Sequence, residues 1–369
     1  MKMEATQDYQ IQSALEDDFQ VLKHLGQGTY GEVVMARERG TGKTVALKLV
    51  RKNRSTQTAF FHELCVSIYL SSFEGIISTH PIFFNSADHY VLIQELAPAG
   101  SLHSLIKRGV GIPETMVKRC AVQLTRALEY MHSKALVHRD LKPDNVLLMD
   151  KECHHIKLSD FGLTQLAGTL VPFMSPIIPY MSPELCDLKQ GEFLLLDASV
   201  DIWAFGVLLF VAFTGNYPWK RAVAEDPLFQ EFISWQSAVQ HIPPPTCWQK
   251  FSRKAQDLFH VLLSKDITNR NLVGIILNQF HFQWAVEEIP QETREVVVEE
   301  GNIEIIEYEG HIIVIEAPDE YIIVENLSEV DYIIVNYTSE DSLSNSSTST
   351  FMLWTDNSSL DLGSEVQIV

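Results

Sequence analysis

Cysteine is scarce in this 369-residue chain, which contains five cysteines and no Cys-x-x-Cys pair. An odd number of scattered thiols does not provide the framework of a disulfide-rich secreted domain. The start of the sequence, residues 1–6, is polar and does not resemble a signal peptide. We therefore expect free thiols in a reducing compartment, the cytoplasm, with the nucleus left open.

Long hydrophobic runs are also missing. The longest, residues 202–213, has 12 residues, whereas a helix needs about 20 apolar residues to span a bilayer. The length of this run is typical of a buried core helix. The sequence therefore predicts no membrane partner through a spanning segment.

Positive charge is almost absent from the last part of the chain. Residues 285–369 contain 20 acidic residues and one basic residue, while residues 1–284 contain 28 acidic and 27 basic residues. The chain's net charge of −20 therefore comes almost entirely from this tail. Nucleic acids and anionic membranes are polyanions, so we expect neither as a partner.

The residue patterns change twice along the chain. After a polar leader at residues 1–18, β-rich runs surround one helical pattern at 58–70, which places Phe61, Leu64 and Ile68 on one face. Predicted strands cover residues 20–22, 32–36, 44–49 and 90–94. From about residue 100 the pattern is helical, and a helix over 114–131 would align Val117, Cys120, Leu124, Ala127 and Leu128.

Five short motifs follow one another in this body of the chain. Gly26, Gly28 and Gly31 lie in a Gly-x-Gly-x-x-Gly hairpin, where a Cβ would keep backbone amides from phosphate oxygens. Ala46 and Lys48 follow on one face of a strand, which suits an adenine-facing and a phosphate-facing side chain. The remaining motifs are His138-Arg139-Asp140-Leu141-Lys142-Pro143-Asp144-Asn145, Asp160-Phe161-Gly162 and Ser182-Pro183-Glu184.

The octapeptide at 138–145 carries the chemistry. Asp140 can accept a hydroxyl proton, Lys142 can neutralise a transferred phosphoryl group, and Asn145 can ligate Mg²⁺. Asp160 adds a second oxygen ligand for this hard cation. A degenerate pseudokinase normally lacks one of Lys48, Asp140, Asn145 or Asp160, and all four are present.

The motifs, their order and their spacing make residues 19–284 resemble a eukaryotic protein kinase. The resemblance implies an α+β, bilobal protein kinase fold with a β-rich N-lobe, an α-helical C-lobe and an acidic C-terminal tail. It also implies ATP-dependent transfer of a γ-phosphoryl group to a protein serine or threonine, with Asp140 as catalytic base. ATP and Mg²⁺ are the expected substrate and cofactor.

The resemblance also assigns site residues. Lys48 would pair with Glu63, and both would act in catalysis beside Asp140 and Lys142. Asn145 and Asp160 would hold the metal. We expect that Lys48→Met would leave the fold intact, because Glu63 would lie at a solvated cleft. The implied ATP-binding residues are Leu25, Gly26, Gln27, Gly28, Thr29, Tyr30, Gly31, Glu32, Val33, Ala46, Lys48, Glu95, Ala97 and Leu147.

Other positions have structural roles in such kinases. His138 and Phe161 are expected to pack in the core, Glu184 to pair with Arg270, and Asp201 to cap the catalytic-loop backbone. Arg139 would pair with an activation-loop phosphate, for which Thr164, Thr169 and Ser175 are candidates and Thr169 is preferred.

Several further segments, among them 95–102, 203–207, 214–219 and 231–236, are similar to the Src-homology-3-domain-binding serine/threonine kinase family. Binding to Src-homology-3 domains, the property that names this family, has no support in the sequence. The nearest approach to a Pro-x-x-Pro ligand is Pro243-Pro244-Pro245.

One departure favours a second hypothesis. Ile177 stands where such kinases usually have a threonine that hydrogen-bonds the catalytic Asp and Lys, and isoleucine cannot donate that bond. The alternative is therefore a weakly active or inactive nucleotide-binding scaffold whose acidic tail recruits partners.

The tail contains five short aliphatic runs flanked by acids, at 296–300, 303–307, 312–316, 322–325 and 331–335. They resemble SUMO-interacting motifs, which add a strand to the edge of a partner's sheet. The other interpretation, which the frequency of such short runs favours, is a local β-meander, or a disordered tail. Residues 285–337 form this β-branched segment. Residues 338–369 are Ser/Thr-rich and predicted to be disordered.

Overall fold

The computed structural model describes residues 17–28, 31–53, 56–86, 88–176, 178–238, 242–270 and 282–286, and four strands nearer the C terminus. The chain divides into two compact units, Met1–Glu287 and Glu288–Val369. The predicted sites on Thr29, Tyr30 and Ile177 lie outside the described residues.

The first unit begins with a five-stranded antiparallel sheet. Its strands are β1 (Phe19–Gly28), β2 (Gly31–Glu38), β3 (Thr44–Arg51), β4 (Thr79–Asn85) and β5 (His89–Glu95), in the spatial order β1-β2-β3-β5-β4. Alternate residues of β2, β3 and β5 point to one side and form a buried apolar layer that includes Ala36, Leu47 and Val91. The four predicted strands are confirmed, and β4 was not predicted.

Helix α1 (Thr56–Leu70) packs on this sheet. It begins two residues before the predicted start, where Asn53 and Thr56 exchange backbone-to-side-chain hydrogen bonds of 2.9 Å. Phe60 is buried and stacks on Tyr90, with ring centroids 4.9 Å apart. The predicted face is confirmed, because Leu64 is buried and Phe61 and Ile68 pack half-buried against the same apolar cluster, which also contains Phe60. The buried face also contains the polar Glu63, which a count of apolar residues does not detect.

The second half of this unit is helical. Its helices are α2 (Leu102–Leu105), α3 (Glu114–Ser133), α4 (Pro183–Cys186), α5 (Ser199–Thr214), α6 (Pro227–Gln236) and α7 (Arg253–Leu262). All five residues of the predicted stripe on α3 are buried, which confirms that prediction. The apolar run at 202–213 lies in α5, where nearly every side chain is buried, so it is a core helix.

The end of α5 is fixed by Gly215, which has a φ of 68°. A Cβ at this position would lie 2.1 Å from the carbonyl oxygen of Lys107, so only glycine fits.

Short strand pairs connect the helices. They are β6 (Leu136–Val137) with β9 (Gln165–Leu166), β7 (Val146–Leu148) with β8 (Ile156–Leu158), and β10 (Leu170–Pro172) with β11 (Phe193–Leu195). The β7–β8 pair and its flanking loops carry Asn145 and Asp160. The β10–β11 pair joins the segment after Asp160 to the chain preceding α5, and it exposes Leu170, Phe193 and Leu195.

The second unit contains two hairpins. Strand β12 (Glu304–Tyr308) pairs with β13 (His311–Ile315), and β14 (Tyr332–Thr338) pairs with β15 (Thr348–Trp354). The first pairing joins two of the aliphatic runs, as the meander interpretation expects. Strand β15 lies within the segment that the sequence predicts to be disordered. The runs at 296–300 and 322–325 lie outside the described residues.

Among the described residues, no helix has the length and hydropathy needed to cross a membrane.

Candidate active site

Lys48 joins three parts of the fold. It lies on β3, opposite Val33 of β2 and Leu92 of β5. Its Nζ donates to Oε1 of Glu63 on α1 at 2.6 Å and to Oδ1 of Asp160 at 3.0 Å. The structure thus brings together three predicted site residues from distant parts of the sequence.

Lys48 and Asp160 stabilise each other's charges. Burial disfavours the Lys48 ammonium, but the carboxylates of Glu63 and Asp160 outweigh burial and raise the pKa of Lys48 above its ordinary value. Burial raises the pKa of Asp160, but Lys48 outweighs it and the net pKa is lowered. Both groups are therefore charged at neutral pH.

Glu63 differs from its prediction in one respect. We expected it at a solvated cleft, but only 7% of the residue is exposed. It is held beneath the sheet because it occupies the inner face of α1 with Phe60 and Leu64. Removing Lys48 would therefore leave a buried carboxylate without this partner.

The catalytic loop is fixed by a buried carboxylate from α5. Asp201 is fully buried and accepts the backbone N–H groups of His138 and Arg139, both at 2.8 Å. This confirms its predicted capping role. Burial raises the pKa of Asp201, but hydrogen bonds from His132 and the loop lower it below its ordinary value.

His132 was not predicted as part of this arrangement. Its Nε2 lies 2.9 Å from Oδ2 of Asp201, so α3, α5 and the catalytic loop meet at one carboxylate. The only sequence signal was its place on the last turn of α3, just before the loop. By contrast, the predicted core packing of His138 and Phe161 is confirmed, because both are fully buried, and their ring centroids lie 5.4 Å apart.

Asp140 is held from two sides. Lys142 Nζ donates to both carboxylate oxygens, at 2.9 and 2.8 Å. Asn145 Nδ2 donates to Oδ2 at 3.0 Å and to the Asp140 backbone oxygen at 2.7 Å. The carboxylate therefore has a fixed orientation and a cation beside it.

The predicted metal ligands fit a hard cation. Because Asn145 uses its amide nitrogen on Asp140, its Oδ1 receives no hydrogen bond within the described residues and is available as a ligand. Asp160 has a side chain that is 41% exposed and a φ of 64°. Ser159 donates its N–H and its hydroxyl to the Asn145 carbonyl, both at 2.9 Å, which links the two loops that carry these ligands.

The glycine-rich hairpin is formed by β1 and β2, where Gly26 pairs with Val33, Gln27 with Glu32, and Gly28 with Gly31. Leu25 is exposed at the edge of this hairpin. The reason we gave for Gly31 is incomplete, because a Cβ there would lie 1.8 Å from the Leu49 carbonyl oxygen of β3. This close approach within the sheet already requires glycine.

The predicted adenine-binding residues lie at the junction of the sheet and the helical half. Ala46 is buried and Leu147 half-buried. The Glu95 carboxylate is used elsewhere, since it accepts from Lys157 Nζ at 2.7 Å and from the Ser78 N–H at 2.6 Å. The backbone N–H of Ala97 has no partner among the described residues and is available to a ligand.

The activation segment is the part of the chain between Asp160 and Glu184. Its three candidate phosphate acceptors differ in how exposed they are. Thr164 is buried, Thr169 is half-buried and Ser175 is exposed. Arg139 donates to the Leu163 carbonyl at 3.2 Å and to the Met174 sulfur at 3.0 Å. Burial lowers the pKa of Arg139 and Asp201 only partly opposes it.

The predicted pair between Glu184 and Arg270 is present as a double hydrogen bond, 2.9 Å from Nη1 to Oε1 and 2.8 Å from Nη2 to Oε2. Arg270 is fully buried, and its guanidinium carbon lies 5.2 Å from the ring centroid of Trp203. This pair anchors α4 to the core of the helical half.

Comparison with known proteins agrees with this geometry. A family model described as "Protein kinase domain" matches residues 19–282. The chain belongs to the protein kinase family.

Similar proteins narrow the assignment. Serine/threonine-protein kinase SBK1 of Danio rerio is 41% identical over 269 residues, which are 73% of this chain and 70% of that protein. SBK1 of Mus musculus is 43% identical over 277 residues, 75% of this chain and 65% of that protein. SBK2 of Homo sapiens is 37% identical over 294 residues, 79% of this chain and 84% of that protein.

These similarities confirm the resemblance to the SH3-binding kinase family. The chain is a serine/threonine-protein kinase.

Proposed function

We propose that this kinase transfers the γ-phosphoryl group of MgATP to a serine or threonine hydroxyl of a protein, with Asp140 as the catalytic base. The observation that carries the proposal is the arrangement of Asp140, Lys142 and Asn145 within hydrogen-bonding distance of one another. The cluster of Lys48, Glu63 and Asp160, which joins β3 and α1 to the loop after β8, also supports it.

Each residue has a role that its surroundings support. Asp140 orients the substrate hydroxyl and accepts its proton. Lys142, already 2.8 Å from Asp140, neutralises charge on the transferred phosphoryl group. Lys48, kept charged by two carboxylates, binds the α- and β-phosphates of the nucleotide.

The nucleotide itself would lie between the two halves of the kinase domain. The unpaired Ala97 N–H would bind the edge of adenine, and Ala46 and Leu147 would supply apolar contacts on its faces. Asn145 and Asp160 would hold Mg²⁺. Held there, Mg²⁺ would supply charge neutralisation at the phosphates.

A transfer assay with radiolabelled MgATP and a generic basic protein substrate tests the proposal. We expect Asp140→Asn to lower kcat by about 10²- to 10⁴-fold, because the amide cannot accept the proton. Asp257→Asn, an exposed aspartate on α7, is the matched control and should retain full activity. A wild-type enzyme no faster than Asp140→Asn would overturn the proposal.

A nucleotide-binding scaffold is the second candidate. It is favoured by Ile177, which cannot supply the usual hydroxyl. A scaffold would bind a fluorescent ATP analogue with micromolar affinity and release it unchanged. An active kinase would bind the same analogue and also phosphorylate the substrate.

The tail supports a proposal about partners. Its acid-flanked aliphatic runs resemble SUMO-interacting motifs, and a run that is not paired within the tail would add a strand to the edge of the SUMO sheet. The pairing of β12 with β13 is the competing arrangement, in which two of these runs pair with each other. Titrating the full-length kinase into labelled SUMO tests this by NMR. Shifts along the edge strand of SUMO would support it, and the absence of shifts at millimolar kinase would exclude it.

A further inference from the structure

A small cavity lies beside the catalytic base. It has a volume of about 20 Å³ and is bounded by the catalytic loop, the end of the activation segment and α5. Its lining includes Arg139, Asp140, Tyr180, Ser182 and Ala204. A cavity needs roughly 10–15 Å³ to hold a water molecule, so this one has room for one.

Two of the residues that line this cavity each carry one buried polar side-chain atom that has no hydrogen-bond partner among the described residues. These atoms are Oγ of Ser182 and Nε of Arg139. Leaving such an atom unsatisfied costs about 1–3 kcal/mol, and buried polar atoms in folded proteins are almost always paired. Two such atoms on residues that line one water-sized cavity therefore point to a shared partner.

The local backbone does not satisfy the Ser182 hydroxyl. Ser182 is the N-cap of α4, where a serine side chain usually accepts a backbone N–H. Here the N–H groups of Leu185 and Cys186 bond to the Ser182 carbonyl oxygen instead, both at 3.0 Å, and the hydroxyl makes no capping bond. The Ser182 hydroxyl can therefore form a hydrogen bond with a water in the cavity.

We propose that Ser182 is a positioning residue for Asp140 and acts through one buried water molecule. The water accepts a hydrogen bond from Arg139 Nε–H and bonds to the Ser182 hydroxyl. It ties the end of the activation segment to the residue that precedes the base. The inference rests on the proposed role of Asp140.

Two departures from the usual kinase sequence agree with this proposal. Ile177 removes the hydroxyl that normally ties the activation segment to the catalytic loop, and Ser182 adds a hydroxyl where alanine is usual. The Ser182 hydroxyl therefore supplies, through the water, the link between activation segment and catalytic loop that Ile177 removes.

Steady-state kinetics of Ser182→Ala test the role. We expect kcat to fall about 5- to 10-fold, the worth of one hydrogen bond of about 1 kcal/mol. The KM for ATP should stay within about twofold, because the cavity does not line the proposed nucleotide site. Ser199→Ala is the matched control, since Ser199 is equally buried, has an equally unpaired hydroxyl and does not line the cavity.

Equal kcat values for wild type, Ser182→Ala and Ser199→Ala would overturn the proposal. So would equal losses in both variants, which would indicate a general effect of buried serines. A crystal structure of the wild type at high resolution gives an independent readout. We expect an ordered water within hydrogen-bonding distance of Ser182 Oγ and Arg139 Nε, and its absence would refute the inference even for an inactive enzyme.

Discussion

The pair between Glu184 and Arg270 allows a sharp test of what holds the helical half together. Arg270 is fully buried and bonds to both oxygens of Glu184. Glu184→Gln keeps the volume of the side chain but removes its charge, so a buried guanidinium loses its counter-ion. Breaking such a pair costs about 3–5 kcal/mol.

That cost is large compared with the total stability of a domain, which is about 5–15 kcal/mol. For a domain of this size each kcal/mol corresponds to roughly 2–4 °C, so we expect the midpoint of thermal unfolding to fall by roughly 6–20 °C. Scanning calorimetry or urea unfolding measures the change. Glu225→Gln, an exposed glutamate in the same half, is the matched control and should change stability by less than about 0.5 kcal/mol.

The double variant Glu184→Leu with Arg270→Met tests whether the unpaired charge causes the loss of stability. It removes both charges, so no ion is left unpaired, and we expect it to be more stable than Glu184→Gln. If Glu184→Gln unfolds at the same temperature as Glu225→Gln, the guanidinium does not depend on this carboxylate and the argument fails.

Two further predictions concern the cluster at Lys48 and the hydrogen bonds that Asp201 accepts from the loop. Lys48→Met should lower kcat by more than about 100-fold. It should also lower the free energy of unfolding by roughly 1–3 kcal/mol, because it leaves Glu63 buried without this partner. Lys48→Arg should restore stability but not activity, and an unchanged stability of Lys48→Met would contradict this account. Asp201→Asn should destabilise the kinase at pH 7. Because the pKa of Asp201 is lowered in the folded state, its contribution to stability is present above about pH 4 and is lost as pH falls through the folded pKa. The urea-unfolding stabilities of wild type and Asp201→Asn should therefore converge below about pH 4. A stability difference that does not change with pH would refute this prediction.

The sequence was informative where one local pattern determines the structure. The alternation in β2 and β3 and the helical stripe of α3 each require only neighbouring residues, and these elements are present. The chemistry-bearing motifs were equally clear, because Asp140, Lys142 and Asn145 are close in sequence as well as in space.

Contacts between distant segments were harder to predict. Strand β4 contains His80 and Pro81, which obscure its alternation, and it is held by pairing with β5. The β10–β11 pair joins two three-residue segments about 20 positions apart, too short for any periodicity. The contacts of His132 with Asp201 and of Lys157 with Glu95 depend on how helices and hairpins pack, which no local pattern encodes.

The close approach of Gly31 to β3 changes what a glycine-rich hairpin can reveal about other chains. A side chain at this position would collide with the Leu49 carbonyl whether or not a nucleotide ever binds. A descendant that lost Asp140 would therefore still need a glycine at this position for steric reasons. A glycine at this position in a relative therefore indicates the sheet. Residues matching Lys48, Asn145 and Asp160 are the better indicators of nucleotide binding.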